Sequence, residues 1–157
     1  ARVAKAFGMK VLCYNGNNPH PEWEDEQLRF VSFDELLANS DIISLHCPLT
    51  AETENMIRRE TIAKMKKGVI IINTARGPLI DEAALIEVLK EGRIAGAGLD
   101  VQEVEPPADD NPLYQMENVI LTPHMGWRGL ETRQRLVSIL ADDIKNYLNG
   151  TPINVVS

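Results

Sequence analysis

Short apolar runs alternate with helical stretches along this chain, and this alternation constrains its fold more than any other feature. Predicted strands lie at residues 10–15, 41–46, 69–73, 94–101 and 119–121. Predicted helices lie at residues 32–39, 59–67, 81–91 and 130–148. The run VIIIN at 69–73 is apolar up to its last residue, which predicts a strand buried on both faces. Strands and helices in this order predict an α/β fold, a doubly wound parallel sheet with helices on each side.

Serine and glycine residues indicate where these elements begin, end or meet another backbone. Ser32 is placed to cap the first predicted helix, and Glu35 follows it at the spacing of a capping box. Gly68 is placed to end the second helix, since glycine readily adopts the left-handed conformation found there. Gly96 and Gly98 interrupt a predicted strand, which indicates close approach of another backbone.

Polar residues gather where the predicted strands end. In parallel sheets of this kind, ligands bind beyond the carboxyl ends of the strands. The residues found there are Asn15, His46, Cys47, Pro48, Asn73, Thr74, Ala75, Arg76, the run from Asp100 to Glu105, and His124. The sequence therefore predicts its functional site along this edge.

The chain has no Gly-x-Gly-x-x-Gly turn, the loop that cradles a pyrophosphate in dinucleotide-binding folds. Its first residues, ARVAKAFG, are typical of the later part of the helix that follows such a turn. The strand before that turn lies at the centre of a doubly wound sheet. We therefore expect a sheet lacking its first strand, in a piece of a longer chain cut within the first crossover helix. The alternative is a natural short protein with a rearranged sheet.

Charge and composition exclude several classes of partner. The chain has 16 Lys and Arg against 23 Asp and Glu, a net charge of −7, which argues against nucleic acid or an anionic membrane surface. No apolar run approaches the length of a membrane span. One cluster of basic residues is expected to be a solvated helix face; it contains Arg58, Arg59, Lys64, Lys66 and Lys67.

The two cysteines, Cys13 and Cys47, lie in or beside apolar runs, without Cys-x-x-Cys spacing or a Cys/His cluster. This pattern predicts no metal site. Two free, buried thiols are typical of a cytoplasmic protein.

Four segments together resemble the D-isomer-specific 2-hydroxyacid dehydrogenases. They are HCPLTAET at 46–53, the run from MKKG to NTARG at 65–77, GAGLDVQEVEP at 96–106 and TPHMGW at 122–127. Their order and spacing agree with the family over nearly the whole chain. The resemblance implies a Rossmann-like NAD(P)-binding domain over residues 1–157. From about residue 128 the last helix and tail would reach toward a substrate domain that this chain lacks.

The resemblance implies three catalytic residues. Arg76 would bind the substrate, because a planar guanidinium can hold a carboxylate and a neighbouring keto oxygen together. His124 would supply the proton to the carbonyl oxygen, a role suited to histidine near neutral pH. Glu105 would orient His124 and raise its pKa, although Glu103, two residues earlier, competes for this assignment.

The resemblance also implies a nicotinamide cofactor. The residues expected to bind it are Asn15, Cys47, Pro48, Thr53, Thr74, Ala75, Arg76, Asp100, His124 and Gly126. Asn15 departs from the family, in which NAD-preferring members carry an Asp that holds the adenine ribose. An Asn does not repel a 2′-phosphate, yet residues 16–18 lack the arginines of a phosphate clamp. NAD is therefore favoured, and NADP stays open.

Trp127 and the run ETRQRL at 131–136 resemble the glycerate dehydrogenase, or hydroxypyruvate reductase, branch of the family. The implied reaction is hydride transfer between the nicotinamide and a small D-2-hydroxy acid or 2-keto acid, with glycerate and hydroxypyruvate favoured. The resemblance further implies a homodimer, and a 157-residue piece that is inactive by itself. The alternative function is a nucleotide-sensing binding module, like the corepressors that share this fold.

Overall fold

The computed structural model describes residues 1–16 and 18–156, so that Asn17 and Ser157 lie outside the described residues. The strands are β1 (Val11–Cys13), β2 (Leu28–Phe30), β3 (Ile42–Leu45), β4 (Val69–Asn73), β5 (Ile94–Leu99) and β6 (Val119–Leu121). The helices are α1 (Arg2–Ala6), α2 (Phe33–Asn39), α3 (Arg59–Ala63), α4 (Glu82–Lys90) and α5 (Leu130–Leu148). The chain forms two compact units, Ala1–Thr122 and Pro123–Ser157.

The strands form two parallel sheets, which confirms the predicted α/β fold. One sheet pairs β1 with β2, and the other has the order β3-β4-β5-β6. Val11 pairs with Leu28 in the first sheet, and Ile42 with Ile70 in the second. Among the described strands, β1 and β3 do not pair, so the two sheets are separate.

The hydrophobic core covers one face of the four-stranded sheet. Alternate residues of β4 point to that side, where Val69 and Ile71 are at most 1% exposed. The core also contains Leu37 of α2, Ile62 of α3 and Leu85 of α4. Helices from between the strands therefore bury this face, as expected for a parallel sheet.

The opposite face of this sheet is open in the unit Ala1–Thr122, so the prediction of a strand buried on both faces is wrong. Ile42 and Ile70, which pair across β3 and β4, are 41% and 39% exposed. Ile120 of β6 is 74% exposed. The apolar character of 69–73 therefore marks a strand with one side in the core and the other at the surface.

The predicted elements agree with the structure to within about two residues at each end, except at the end of α3. Ser32 caps α2, and its hydroxyl accepts a hydrogen bond from the Glu35 amide at 3.2 Å. Gly68 adopts a φ of 82°, as expected for a left-handed residue after a helix, although α3 itself ends earlier, at Ala63. The structure adds β2, which carries no apolar run and was not predicted.

The two glycines of β5 differ in how closely another backbone approaches them. A Cβ on Gly96 would lie 2.8 Å from the Asn118 carbonyl oxygen, so another backbone approaches closely there. A Cβ on Gly98 would meet only the Ile72 side chain, at an ordinary 4.0 Å. The prediction of close backbone approach is therefore correct for Gly96 and wrong for Gly98.

The second unit contains α5, whose bounds match the prediction. Its regularly spaced apolar side chains are exposed; they include Leu136, Val137, Leu140, Ile144 and Leu148. Among the described residues, no helix is long and apolar enough to cross a membrane.

The first unit also contains exposed ion pairs and two free thiols. Arg59 contacts Glu87 and Glu91, which agrees with the solvated basic face that the sequence predicted. Cys13 and Cys47 are free, but each is partly buried, not buried as predicted. Partial burial raises the pKa of both thiols.

Candidate functional site

The carboxyl ends of β3 to β6 meet at one edge of the sheet, because the four strands are parallel. Cys47 follows β3 there, Arg76 follows β4, and Asp100 and Glu105 follow β5. The fold of the first unit therefore brings these predicted residues to a common edge. Asn15 lies apart from them in sequence and sheet, since it follows β1 of the two-stranded sheet.

Asn73, the last residue of β4, fixes the turn that presents Arg76. Its side chain is 1% exposed. Its Nδ2 donates to the Arg76 carbonyl at 2.8 Å, and its Oδ1 accepts from the Ala75 amide at 3.0 Å. The Arg76 side chain is exposed, and its Nη1 donates to the Ala75 carbonyl. A buried amide thus holds the backbone while the guanidinium stays accessible to an anion.

Sequence reasoning assigned no role to Asn73. The signal was present, because a single polar residue closes an otherwise apolar, β-branched strand. A buried polar side chain is costly without hydrogen bonds, so a partner had to exist. The identity of that partner, the turn leading to Arg76, depends on the folded loop.

Gly77 joins this turn to the loop after β5. A Cβ at Gly77 would lie 1.8 Å from the Gln102 carbonyl oxygen and 2.6 Å from the Glu103 amide nitrogen. Only glycine fits such a close backbone crossing. The loop that carries Glu105 is therefore packed directly against the turn that carries Arg76.

Glu105 lies in a loop held by hydrogen bonds from two sides. Its Oε1 accepts from the Gln102 amide at 3.0 Å. The carboxylate of Glu82, at the start of α4, accepts from the Glu103 amide at 3.1 Å and from Asn111 Nδ2 at 2.8 Å. Glu82 is a positioning residue that sequence reasoning missed, because nothing local links the start of α4 to this loop.

Asp100 is almost fully buried and ties β5 to both neighbouring strands. Its side chain and backbone are 8% exposed. Its amide donates to the Asn73 carbonyl at 2.9 Å, and its carboxylate accepts from the hydroxyl of Thr122, just after β6. A carboxylate at the strand ends is therefore held in a defined place. Thr122 was not predicted as a site residue.

The turn after β3 is held by an exposed network around Thr53. The Thr53 hydroxyl donates to the Pro48 carbonyl at 2.7 Å and accepts from the Thr50 amide at 2.8 Å. Cys47 packs its sulfur 3.6 Å from the sulfur of Met56. This turn is closed by its own residues.

The remaining predicted cofactor residues differ in exposure and in the compact unit to which they belong. Thr74 is exposed and Ala75 is partly buried in the turn after β4. His124 and Gly126 belong to the second compact unit. His124 is partly buried and adopts a left-handed φ of 48°. Such a conformation costs a non-glycine residue about 1 kcal/mol or more, and it occurs often at functional sites.

The residues of the first unit fit a nucleotide. The set contains hydroxyl and amide groups that match ribose and carboxamide hydrogen bonds, at Asn15, Thr53 and Thr74. Asp100 adds a buried carboxylate, which Thr122 and the β4 backbone hold at the strand ends. Hydroxyl, amide and carboxylate groups at the strand ends can therefore bond to the polar groups of a nucleotide.

Comparison with known proteins agrees with this chemistry. Residues 1–126 match the family described as "D-isomer specific 2-hydroxyacid dehydrogenase, NAD binding domain". The hydroxypyruvate reductase of Blautia hydrogenotrophica is 49% identical over 156 residues, which cover 99% of this chain and 48% of that protein. The glycerate dehydrogenase of Methylorubrum extorquens is 45% identical, with 99% and 48% covered.

A solved structure shows the same fold. The D-lactate dehydrogenase with NAD⁺ from Lactobacillus jensenii has a TM-score of 0.91 and 40% sequence identity, covering 100% of this chain and 51% of that chain. The chain spans about half the length of the relatives it matches. It belongs to the D-isomer-specific 2-hydroxyacid dehydrogenase family and corresponds to that family's NAD-binding domain.

Proposed function

We propose that the whole protein transfers a hydride between a nicotinamide cofactor and a small D-2-hydroxy acid, with glycerate and hydroxypyruvate as the favoured pair. Two relatives named hydroxypyruvate reductase and glycerate dehydrogenase, 49% and 45% identical, support this branch. The observation that carries the proposal is the turn after β4. There a buried Asn73 holds the backbone of an accessible Arg76 at the carboxyl edge of the sheet.

Arg76 is proposed to bind the substrate. Its guanidinium offers parallel N–H donors to a carboxylate and to the adjacent keto oxygen, a geometry that lysine cannot reproduce. Asn73 Nδ2 donates to the Arg76 carbonyl at 2.8 Å, so that the backbone that carries the guanidinium is already fixed when the acid binds.

The cofactor would supply the hydride to the α-carbon of the keto acid. Residues Thr53, Thr74 and Asp100 are proposed to hold it along the strand ends, as the family membership supports. His124 is proposed to donate a ring N–H proton to the carbonyl oxygen, which leaves the 2-hydroxy acid and a neutral imidazole. In the reverse direction the same nitrogen takes the hydroxyl proton. Glu105 is proposed to orient the ring and stabilise its protonated form.

Steady-state turnover of hydroxypyruvate with NADH by the whole protein tests this proposal. His124→Ala should lower kcat about 10²- to 10⁴-fold, because the proton donor is lost. Arg76→Ala should raise KM and lower kcat together, since both binding and orientation suffer. Arg59→Ala is the matched control, because Arg59 lies at the surface, where it forms ion pairs with Glu87 and Glu91.

Wild-type turnover in the His124 variant would contradict the assigned roles. No turnover of any small 2-keto acid by the wild type, together with retained nucleotide binding, would favour the corepressor-like module instead. The proposal also includes a homodimer, as the resemblance to the family implies. The net charge of −7 supports the absence of nucleic acid or an anionic membrane as partner, and the free thiols support a place in the cytoplasm. Light scattering on the whole protein measures the oligomeric state.

A further inference from the structure

We propose that Glu82, the first residue of α4, positions Glu105 for the proton-transfer step, so that the rate of turnover depends on a carboxylate that acts only through another residue. The inference rests on the proposed function, since it requires that Glu105 supports the proton donor His124. It concerns what keeps Glu105 in place within the loop after β5, which the three catalytic roles leave open.

The segment that carries Glu105 has little apolar packing to hold it. Residues 103–106 are all exposed, and even the apolar Val104 is 67% exposed. Exposed segments with few buried contacts open easily, and the conformational entropy of their residues favours many arrangements. Hydrogen bonds to the rest of the first unit therefore decide where this segment lies.

The Glu82 carboxylate holds this segment on both sides of Glu105. Its Oε2 accepts from the Glu103 amide at 3.1 Å, and its Oε1 accepts from Asn111 Nδ2 at 2.8 Å. An ionised carboxylate can accept from two donors at once, and hydrogen bonds to a charged group are stronger than neutral ones. Glu82 therefore closes residues 103–111 into a loop with its side chain.

Gln102 connects this restraint to the Glu105 carboxylate. Its Oε1 accepts from Asn111 Nδ2 at 3.3 Å, and its backbone amide donates to Glu105 Oε1 at 3.0 Å. Gln102 is only 9% exposed, and its carbonyl lies against Gly77 in the turn that presents Arg76. A shift of Asn111 would therefore disturb the residue to which Glu105 is bonded.

Glu82 itself lies on a rigid element. It is partly buried in the first turn of α4, where the Asp81 side chain caps the helix by accepting from the Ala84 amide at 2.9 Å. Leu85 and Leu89 anchor the same helix in the core. A group on an anchored helix holds its partners more precisely than a group on a loop does.

Steady-state kinetics of the whole protein with hydroxypyruvate and NADH test this role through Glu82→Gln. The substitution keeps the size of the side chain but places an N–H donor against either the Glu103 amide or Asn111 Nδ2. It should lower kcat about 10- to 100-fold, the size expected for a displacement of about 1 Å, and leave the KM for NADH within about twofold. In a Glu105→Gln background the same substitution should lower kcat less than about twofold, because Glu82 acts through Glu105.

Hydrogen exchange gives a measurement that needs no turnover. In Glu82→Gln the backbone amides of residues 102–111 should exchange faster than in the wild type, because the loop has lost one of its two bonds to α4. Exchange over β4 should not change. Unchanged exchange in the loop would overturn the inference, since Glu82 would then not restrain it.

Glu87→Gln is the matched control, because Glu87 is the same residue type on the same helix and pairs with Arg59 at the surface. Gly68→Ala controls for lost stability, since it places a side chain at a φ of 82° before β4, at the other end of the strand from the Arg76 turn. Both variants should keep the kcat of the wild type.

Asn111→Ala is a second test, because it removes the donor on the far side of the loop and leaves Glu82 intact. It should also lower kcat, and again not in the Glu105→Gln background. Equal fold-losses in both backgrounds would overturn the inference, since the two residues would then act independently of Glu105. Wild-type kcat in both single variants would overturn it as well. These results leave the proposed function standing, whereas no turnover of any small 2-keto acid by the wild type would overturn both.

Discussion

Two turns at the same edge of the sheet are built in opposite ways. The turn after β4 is held by the side chain of Asn73, which is 1% exposed, and is crossed by the backbone of the loop after β5. The turn after β3 is held by the Thr53 hydroxyl, which bonds to residues within the same turn. The first turn is packed against a loop that is distant in sequence, whereas the Thr53 hydroxyl bonds only within residues 48–53.

The difference indicates how each turn would serve a ligand. A turn locked by buried groups holds its side chains in one place, which suits Arg76 and the orientation of a small acid. A turn closed by a partly buried hydroxyl can adjust more easily, which suits contact with a larger nucleotide. Substitutions in the two turns should therefore differ in their effect on the free energy of unfolding.

The largest effect is expected from Gly77→Ala. The new Cβ would meet the Gln102 backbone at 1.8 Å, and neither backbone can move without separating the two loops. We expect a loss of about 3 kcal/mol or more, measured by urea unfolding. Gly68→Ala is the control, because its φ of 82° is strained but nothing lies within 4 Å of the new Cβ. It should cost about 1 kcal/mol. Equal losses in both variants would contradict the crossing of the two loops.

The second-largest loss in the free energy of unfolding is expected from Asn73→Ala. The substitution removes two hydrogen bonds and leaves the Ala75 amide and the Arg76 carbonyl without that partner. A loss of about 2–3 kcal/mol in the free energy of unfolding should result. The exposed Asn39→Ala serves as a comparison and should cost under about 0.5 kcal/mol. If the Asn73 variant lost no more than the Asn39 variant, Asn73 would not brace the turn.

A smaller effect is expected from Thr53→Val, which keeps the shape of the side chain and removes its hydroxyl. The Pro48 carbonyl and the Thr50 amide lose their partner, but both can turn to water because Pro48 and Thr50 are exposed. Thermal or urea unfolding should show a loss of about 1 kcal/mol. Thr53→Ser keeps the hydroxyl and should recover most of this stability. If Thr53→Val lost as much unfolding free energy as Asn73→Ala, the two turns would not differ in the way described.

The smallest effect concerns the thiol of Cys47, at the start of the turn after β3. Partial burial raises its pKa, so the folded state favours the neutral thiol. The resulting stabilisation is present below the pKa of the unfolded chain and is lost as pH rises through the higher folded pKa. In a Cys13→Ser background, iodoacetamide at pH 8 should modify the folded protein several-fold more slowly than the urea-unfolded protein. Equal rates would mean that the turn leaves Cys47 open to solvent.

Regular local patterns made much of the fold predictable. The bounds of β4, β6 and α5 match the prediction, because a strand or helix with a continuous periodic pattern depends mainly on its own residues. The strand β2 was missed, since its three residues include Arg29 and gain their order from pairing with β1. Burial was misjudged at Ile70, because an apolar residue type does not say which side of a sheet is covered.

The candidate site also has residues that the sequence predicted and supporting contacts that it did not. Arg76, Asp100 and Glu105 were predicted because residues after parallel strands share an edge, whatever the details of the loops. The supporting roles of Glu82 and Thr122 were not predicted, because each bonds to a residue that is distant in sequence. Asn73 was placed at the strand ends, but its hydrogen bonds to Ala75 and Arg76 were not predicted. The roles of His124 and Gly126 stay predictions.

By itself, the sequence determined the order of strands and helices, the family and the set of polar residues at the strand ends, since these follow from residue types and spacing. Only the tertiary structure decided that Gly77 admits a second backbone, that Glu82 bonds to the loop after β5, and that Thr122 bonds to Asp100. The physical reason is that a hydrogen bond depends on the position of its partner, which residue type alone does not specify.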